Sequence, residues 1–414
     1  EDGDGNTLSQ QIDNYAALYP TNTKLQGKKF KPAYKDMLAY KKKSAMAKAF
    51  IKTVENQELR LSVTANRSDN ILYANTPMDA IYDDSNIYNI EYNINSIDEN
   101  FKNMNIQYYH SDVDHPMGTN YRMASNNPMM GAMTNWLTTS MDGFKIKNTF
   151  DIRGHELILG LDTSKRNWEG HYEKLNNTVI MGNSIDSTDT KDAALFVQLK
   201  KSMGDFDVTL GGRYDDVTID NQRFDSRHFS YGSANLLTTY NLNKEHKIFL
   251  GIGQASRVPD ARELYLVDKN SSVVIGNEDL KKVTNQEIDL GYETDNQFFK
   301  LKAKLFYSML EDYIYYVKTT KTFTNFDATL YGAEASASVY LGNAVTLDMS
   351  GSYKVGEKDS PSATESKYLA DIAPLRGNIG VNYEYMNNSM ATLEMQASDR
   401  WTKFDKINGE QEIA

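Results

Sequence analysis

The 414-residue sequence predicts an all-β protein, a large antiparallel transmembrane β-barrel. Three observations lead to this fold class: segments in which every second residue is apolar, connections of two distinct lengths, and a low mean hydropathy of −0.60 in a chain that is 11% aromatic. In such a barrel only alternate strand residues contact lipid, so the hydropathy stays low although the chain spans a membrane. No stretch approaches the roughly 18 uninterrupted apolar residues that read as a membrane helix.

Alternating hydrophobicity defines the strands. In residues 58–67 the apolar side chains of Leu59, Leu61 and Val63 alternate with polar ones, which gives a strand one apolar and one polar face. We count roughly fourteen to eighteen such segments, most of them close to the 9–11 residues that a tilted strand needs to cross a bilayer. Further clear examples are residues 88–94, 206–214, 288–292, 301–307, 345–353 and 379–385.

The connections between these segments have two lengths. Short polar turns are expected at residues 54–57, 202–205, 241–245 and 294–297, and long loops at about 68–86, 111–142, 163–190, 215–227, 256–285 and 354–375. Structureless loops of this length are uncommon in a soluble sandwich. Short turns on one rim and long loops on the other are typical of an outer-membrane barrel.

Aromatic residues near the strand ends are expected to form an interfacial girdle, with cross-strand packing in a soluble sheet as the alternative. The residues concerned are Tyr307, Tyr313, Tyr315, Tyr316, Tyr331, Tyr340 and Tyr383.

Composition and motifs exclude several function classes. The net charge is −11, and no basic stripe appears beyond Lys41–Lys43, which we expect in a solvated loop, so nucleic acid is not an expected partner. The absence of cysteine excludes disulfides and thiolate chemistry. No nucleophile triad, nucleotide-binding loop or zinc signature is recognisable, so the sequence predicts no enzyme.

A methionine cluster is the best indication of what the protein binds. Seven of the seventeen methionines fall between Met104 and Met141, where a uniform distribution would place fewer than two. Thioethers and imidazoles together suit a soft or borderline cation such as copper. Met104 and Met141 fit strand periodicity, whereas the other five lie in loop-like sequence. The candidate metal ligands are Met117, Met123, Met129, Met130, Met133, His110 and His115.

The alternative for this cluster is structural, since methionine also fills irregular gaps in loops and either histidine can be an ordinary surface residue. On a strand, His110 would share one face with Asp112 and Asp114, while on a turn His115 could fold back towards Met117. A carboxylate beside a histidine fixes its tautomer, which is common around metal sites.

Three ordered blocks, residues 251–265, 276–281 and 284–293, resemble the barrel signature of TonB-dependent outer-membrane receptors. Residues 74–80, 108–117 and 372–378 are similar to the branch of copper receptors. Arg257, Asp260, Arg262 and Glu263 are expected as ion pairs of the lumen wall, not as an acid–base set, and Tyr265 is expected to pack. The signature residues are Arg257, Pro259, Glu263, Leu264, Tyr265, Gly276, Asn277 and Leu280.

The resemblance implies that residues 1–414 are part of a barrel of the 22-stranded type, without the N-terminal plug and the last strands. It also implies a Gram-negative outer membrane in contact with lipid, TonB as a partner through the N-terminal region, and no required cofactor.

The expected cargo is a copper ion or a small copper complex. Thioethers bind Cu(I) without losing a proton, so a methionine-rich mouth would keep its affinity over a wide pH range. The alternatives are a siderophore or haem receptor, a passive porin-like barrel and, more remotely, a soluble β-rich enzyme.

Overall fold

Eighteen antiparallel strands form a single sheet in the computed structural model, which describes residues 5–73, 76, 78–126, 131–174, 179–268, 273–361, 365–386 and 389–410. Sixteen of these strands have ten or more residues, and only β3 and β6 are short. The all-β prediction is therefore confirmed. The strands are β1 (Lys41–Val54), β2 (Gln57–Ile71), β3 (Asp79–Tyr82), β4 (Asp84–Asn95), β5 (Phe101–Asp114), β6 (Met117–Gly118), β7 (Met133–Ile152), β8 (His155–Lys174), β9 (Val179–Met203), β10 (Phe206–Asn221), β11 (Arg227–Asn241), β12 (His246–Arg257), β13 (Val283–Asp295), β14 (Phe299–Val317), β15 (Thr322–Leu341), β16 (Val345–Lys358), β17 (Arg376–Met386) and β18 (Ser389–Ser398).

Helices are few and short. Two α-helices, α1 (Leu8–Ala17) and α2 (Thr23–Gly27), precede β1 together with a 3-10 turn at Pro32–Tyr34. The third, α3 (Ala261–Tyr265), follows β12, and a second 3-10 turn covers Met123–Asn126. Within the described ranges no helix is long and apolar enough to cross a membrane.

The long strands pair in chain order, each with the next one along the sequence. Short strands β3 and β6 pair with each other and join β2 to β7 at one end of the sheet. Among the described residues β1 pairs with β2 alone and β18 with β17 alone. The count of 22 strands in an intact receptor stays a prediction.

Because consecutive strands run antiparallel, their connections alternate between two rims. The turn rim carries short connections at residues 55–56, 153–154 and 204–205, where Gly154 and Gly204 adopt a positive φ. The loop rim carries residues 72–83, 115–132, 258–282 and 359–375. The predicted arrangement of short turns opposite long loops is therefore confirmed.

Two of the predicted long loops are wrong, and a third is too wide. Residues 163–190 and 215–227 belong mostly to strands, and β5 and β7 extend to Asp114 and Met133, which narrows the methionine-rich loop from 111–142 to 115–132. These strand ends are polar on both faces, as where Lys165 pairs with Lys191. The alternation of apolar and polar residues stops there, although the backbone hydrogen bonds between the strands continue. The sequence pattern therefore places the strand ends too early. Residues 41–43, expected in a loop, are the exposed start of β1.

The two faces of the sheet differ in polarity. On β5 and β7, Tyr108 lies opposite Phe144 and both side chains are exposed, whereas Gln107 lies opposite Lys145 on the other face. In a membrane barrel the apolar face contacts lipid and the polar face lines the lumen. Exposed Tyr307 and Tyr383 fit the expected girdle, whereas Tyr315 is buried in the loop rim and does not.

Close packing is concentrated on the loop rim. A cluster of buried residues from β10, α3, β13, β14 and β15 fixes the loop after β12 against the strand ends. Local hydrogen bonds also stabilise this region. Asp260 and Glu263 form a capping box at the start of α3, in which the side chain of each residue accepts from the backbone amide of the other. The members of the cluster are Val217, Ile219, Leu264, Tyr265, Leu280, Val283, Ile314 and Phe323.

Candidate functional site

The methionine-rich loop begins as a direct continuation of the β5–β7 ladder. Asp114 pairs with Thr138, the amide of His115 donates to the carbonyl of Leu137 at 2.8 Å, and Met117 pairs with Asn135. Thr119 and Met133 close the series, since the Thr119 amide donates to the Met133 carbonyl and the Met133 amide donates to Thr119 Oγ1 at 3.0 Å. The register is unbroken, so alternate residues keep to one face.

Three of the candidate ligands share a face because of this register. His115, Met117 and Met133 lie on the same side as Gln107 and Lys145, which is the polar, lumen-facing side. Met117 and Met133 are diagonal neighbours, a relation in which backbone positions are about 7–8 Å apart and long side chains meet. Met133 is 7% exposed and Met117 is partly buried. His115 precedes Met117 by two residues, so it is the next side chain on the same face. The register therefore places one imidazole and two thioethers on one face of the hairpin.

An acidic side chain lies beside His115. Asp83, between β3 and β4, places Oδ1 3.5 Å from Nδ1 of His115. A carboxylate on this side favours a proton on Nδ1 and leaves Nε2 free to bind a cation. Burial, together with the Asp83 and Asp79 carboxylates, raises the pKa of the Tyr73 phenol.

His110 lies on the opposite face and is not brought together with the methionines. It shares the apolar side of β5 with Tyr108, and both His110 Nδ1 and the Tyr108 hydroxyl contact Asp142, at 2.9 and 2.6 Å. The expected sharing of one face by His110, Asp112 and Asp114 is confirmed, since all three lie in β5. His110 therefore belongs to the outward surface of the wall.

The remaining candidates are distributed differently. Met123 lies in the 3-10 turn, is exposed, and accepts a weak hydrogen bond from the Asn126 amide at 3.7 Å. Met129 and Met130 lie outside the described residues. Met133, expected in the loop, is instead the first residue of β7. In the part of the chain that the structure describes, no group of three or more His, Asp or Glu side chains is arranged to hold a metal.

A buried arginine that the sequence pattern did not reveal organises this loop. Arg122 and Asp79 are both 0% exposed, and Nε and Nη2 of the guanidinium donate to the two carboxylate oxygens. Arg122 also donates to the carbonyls of Lys28 and Tyr73, each at 2.7 Å, and lies 3.8 Å from the ring centre of Phe30. No sequence signal identifies it, because a lone arginine in a polar loop usually faces solvent.

The signature residues form a structural corner of the loop rim. Arg257 donates to both carboxylate oxygens of Glu263, at 2.7 and 3.0 Å, which confirms the expected ion pair, whereas Asp260 caps α3. Tyr265 is buried and stacks on Phe224 with the ring centres 5.4 Å apart, so its expected packing role is confirmed.

The second half of the signature completes this corner. Asn277 donates to the carbonyl of Phe323 at 2.9 Å, and Leu280 is fully buried. Gly276 lies so close to Leu264 that an added Cβ would be 2.3 Å from its carbonyl oxygen. Pro259 follows β12 immediately before the cap of α3.

Solved structures support the same fold. The chain resembles the copper transporter OprC with a TM-score of 0.76 at 19% identity, over 88% of this chain and 59% of that one. It resembles the FrpB iron transporter from Neisseria meningitidis with a TM-score of 0.65 at 13% identity, over 87% and 60% of the chains. It resembles the alcaligin outer-membrane receptor FauA from Bordetella pertussis with a TM-score of 0.61 at 12% identity, over 87% and 61% of the chains.

The chain thus spans about three fifths of the length of these proteins. Curated protein sequences include no significant match. The family model described as "TonB dependent receptor-like, beta-barrel" matches residues 11–410. The chain therefore belongs to the family of TonB-dependent receptor β-barrels, whose members are transport receptors of the Gram-negative outer membrane.

Proposed function

We propose that this chain is the barrel of a receptor that captures copper at the loop rim and imports it with TonB energy coupling. The observation that carries the proposal is the placement of His115, Met117 and Met133 on the lumen-facing side of one continuous hairpin. Two thioethers and an imidazole are a donor set that suits copper, in particular Cu(I). The similarity to the copper transporter OprC supports the same cargo.

The chemistry of the site follows from these ligands. Thioethers bind without losing a proton, and a neutral imidazole needs only a free Nε2, which Asp83 favours by its position at Nδ1. Burial of Met133, which is 7% exposed, and partial burial of Met117 limit the access of bulk water to these side chains. A copper ion, or a small copper complex that releases its ion, would be held here before passage along the polar face of the lumen.

Energy coupling belongs to the same proposal. In this family a periplasmic segment that precedes the barrel contacts TonB, and a plug within the lumen controls passage, as the resemblance in sequence implies. The polar lumen face, with Gln107, Lys145 and their neighbours, is suited to contact such a plug.

The test compares methionine pairs in the full-length receptor. Met117→Leu/Met133→Leu removes both thioethers and preserves side-chain volume, and it is expected to weaken Ag(I) or buffered Cu(I) binding by more than roughly a hundredfold, since even groups outside the ligand sphere are worth 10–100-fold. The matched control is Met349→Leu/Met395→Leu on the apolar face of β16 and β18. Equal binding by both double variants would refute the proposal.

An iron-chelate receptor is the second candidate, and the similarity to the iron transporter FrpB favours it. A siderophore or haem receptor would import its iron complex regardless of the methionines. Growth of a receptor-dependent strain on iron chelates, with the wild-type chain and the Met117→Leu/Met133→Leu variant compared, separates the two. Family membership leaves no support for the passive-porin alternative.

A further inference from the structure

The burial and the contacts of Arg122 are those of a residue that fixes the conformation of a loop. Its guanidinium is fully buried and bonds to three stretches of chain: the carboxylate of Asp79 on β3, the Tyr73 carbonyl after β2, and the Lys28 carbonyl after α2. The ring of Phe30 lies against it. A planar guanidinium with five donors can satisfy these acceptors together, whereas an ammonium cannot.

The backbone around Arg122 repeats the same connections. The Met123 amide donates to the Lys29 carbonyl at 2.8 Å, and the Lys31 amide donates to the Tyr121 carbonyl at 2.9 Å. Residues 121–123 are therefore tied on both sides to the segment that precedes β1. Close approach of Gly27 to Ala124, where an added Cβ would lie 3.4 Å away, shows that α2 packs directly on the 3-10 turn.

These ties reach the proposed ligands within a few residues. The Arg122 amide donates to the carbonyl of Thr119 at 3.0 Å, and Thr119 is the residue that bonds Met133 through both its amide and its hydroxyl. Asp79 pairs with Gly118, next to Met117. A displaced Arg122 would therefore alter the strand pairing that sets Met117 and Met133 on one face.

We propose that Arg122 is the positioning residue of the metal site, which it shapes through Asp79 and the segment before β1 without touching the metal. This inference rests on the proposed function, because it assumes that Met117 and Met133 bind the cargo. It explains why a full ion pair is buried at the loop rim, where desolvation makes such pairs costly. A rigid loop presents both sulfur atoms before the ion arrives.

The test uses Arg122→Lys in the full-length receptor, with Arg223→Lys at the same rim as the control. The Arg223 side chain is 41% exposed, and its contacts are a 4.0 Å ion pair to Asp186 and a cation–π contact 5.1 Å from the ring centre of Phe224. Arg122→Lys keeps the positive charge but loses the planar guanidinium that bonds both Asp79 oxygens and the two carbonyls. Ag(I) affinity is therefore expected to fall about 10–100-fold, the range measured for residues that support metal ligands. X-ray absorption at the copper edge is expected to report one sulfur neighbour instead of two. Arg223→Lys is expected to change neither quantity.

The outcomes separate this inference from the proposed function. If Met117→Leu/Met133→Leu leaves binding unchanged, the proposed function fails. If that variant abolishes binding while Arg122→Lys retains wild-type affinity and two sulfur neighbours, the positioning role alone is refuted. Where Arg122→Lys does not assemble in the membrane, Asp79→Asn decides: it keeps the shape of the acceptor and removes its charge, and unchanged affinity and sulfur count in that variant would overturn the inference.

Discussion

Removal of one charge from a buried network after β18 is expected to release residues 399–410 from the loop rim. Asp405 is 1% exposed and its carboxylate accepts from the Tyr315 hydroxyl at 2.6 Å and from the Lys358 ammonium at 2.9 Å. Lys358 is 8% exposed, so bulk water can replace this partner only poorly. Asp405→Asn therefore leaves a buried cation without a counter-charge.

The magnitude follows from these contacts. Breaking a buried ion pair by removing one partner costs about 3–5 kcal/mol. The Lys358 ammonium keeps cation–π contacts with Tyr315 and Phe326, at 4.9 and 5.5 Å from the ring centres, so the lower end of that range applies. A loss of about 3 kcal/mol raises the population of the released segment roughly a hundredfold.

Hydrogen exchange in the full-length receptor measures this release. The reporters are the amides of Lys318 and Asp371, which donate to the side chains of Asn408 and Glu410 only while the segment is docked. Asp399→Asn, at an exposed site of the same segment, is the control and is expected to change little. Replacement of both partners, Asp405→Asn/Lys358→Met, is expected to recover most of the protection. Exchange rates in Asp405→Asn within threefold of wild type would refute the reasoning.

Two other changes at the loop rim have defined outcomes. Gly276→Ala places a Cβ 2.3 Å from the Leu264 carbonyl oxygen and is expected to cost at least about 1–3 kcal/mol and to open residues 258–282 to protease, whereas Gly212→Ala, with 3.6 Å to the nearest atom, is expected to be tolerated. Burial, then the nearby Asp371 and Asp405 carboxylates, raises the pKa of Glu410. Protection of the Asp371 amide, which donates to Glu410, is therefore expected to be greatest below the ordinary glutamate pKa and to fall as the pH rises through the raised value. Glu410→Gln should remove that dependence while Glu394→Gln leaves it, and a pH-independent wild type would contradict this.

The sequence predicts the membrane-spanning part of this fold well because one physical pattern governs it. Lipid on one side and a polar lumen on the other impose strict alternation, as at Leu59, Leu61 and Val63, which the structure places in β2. Outside the lipid both faces of a strand contact water, so no alternation of apolar and polar residues is imposed. For this reason the sequence pattern does not predict the ends of β8 and β9 beyond Lys165 and Lys191.

The sequence predicts only part of the candidate site, because the rest depends on strand register and tertiary contacts. Residue types identified the methionines and histidines, but the face on which each residue lies depends on the register through residues 115–119, and this register separates His115 from His110. Arg122 had no local signal, since its partners Lys28, Tyr73 and Asp79 are distant in the chain. Contacts of that kind arise only from the tertiary fold.

Location of bound copper in crystals of the full-length receptor tests the central claim most directly. Anomalous diffraction at the copper edge is expected to show an ion bonded to the sulfur atoms of Met117 and Met133, with His115 as a third ligand, and no such peak in Met117→Leu/Met133→Leu. A copper-loaded receptor whose only ions lie away from these residues would contradict the account.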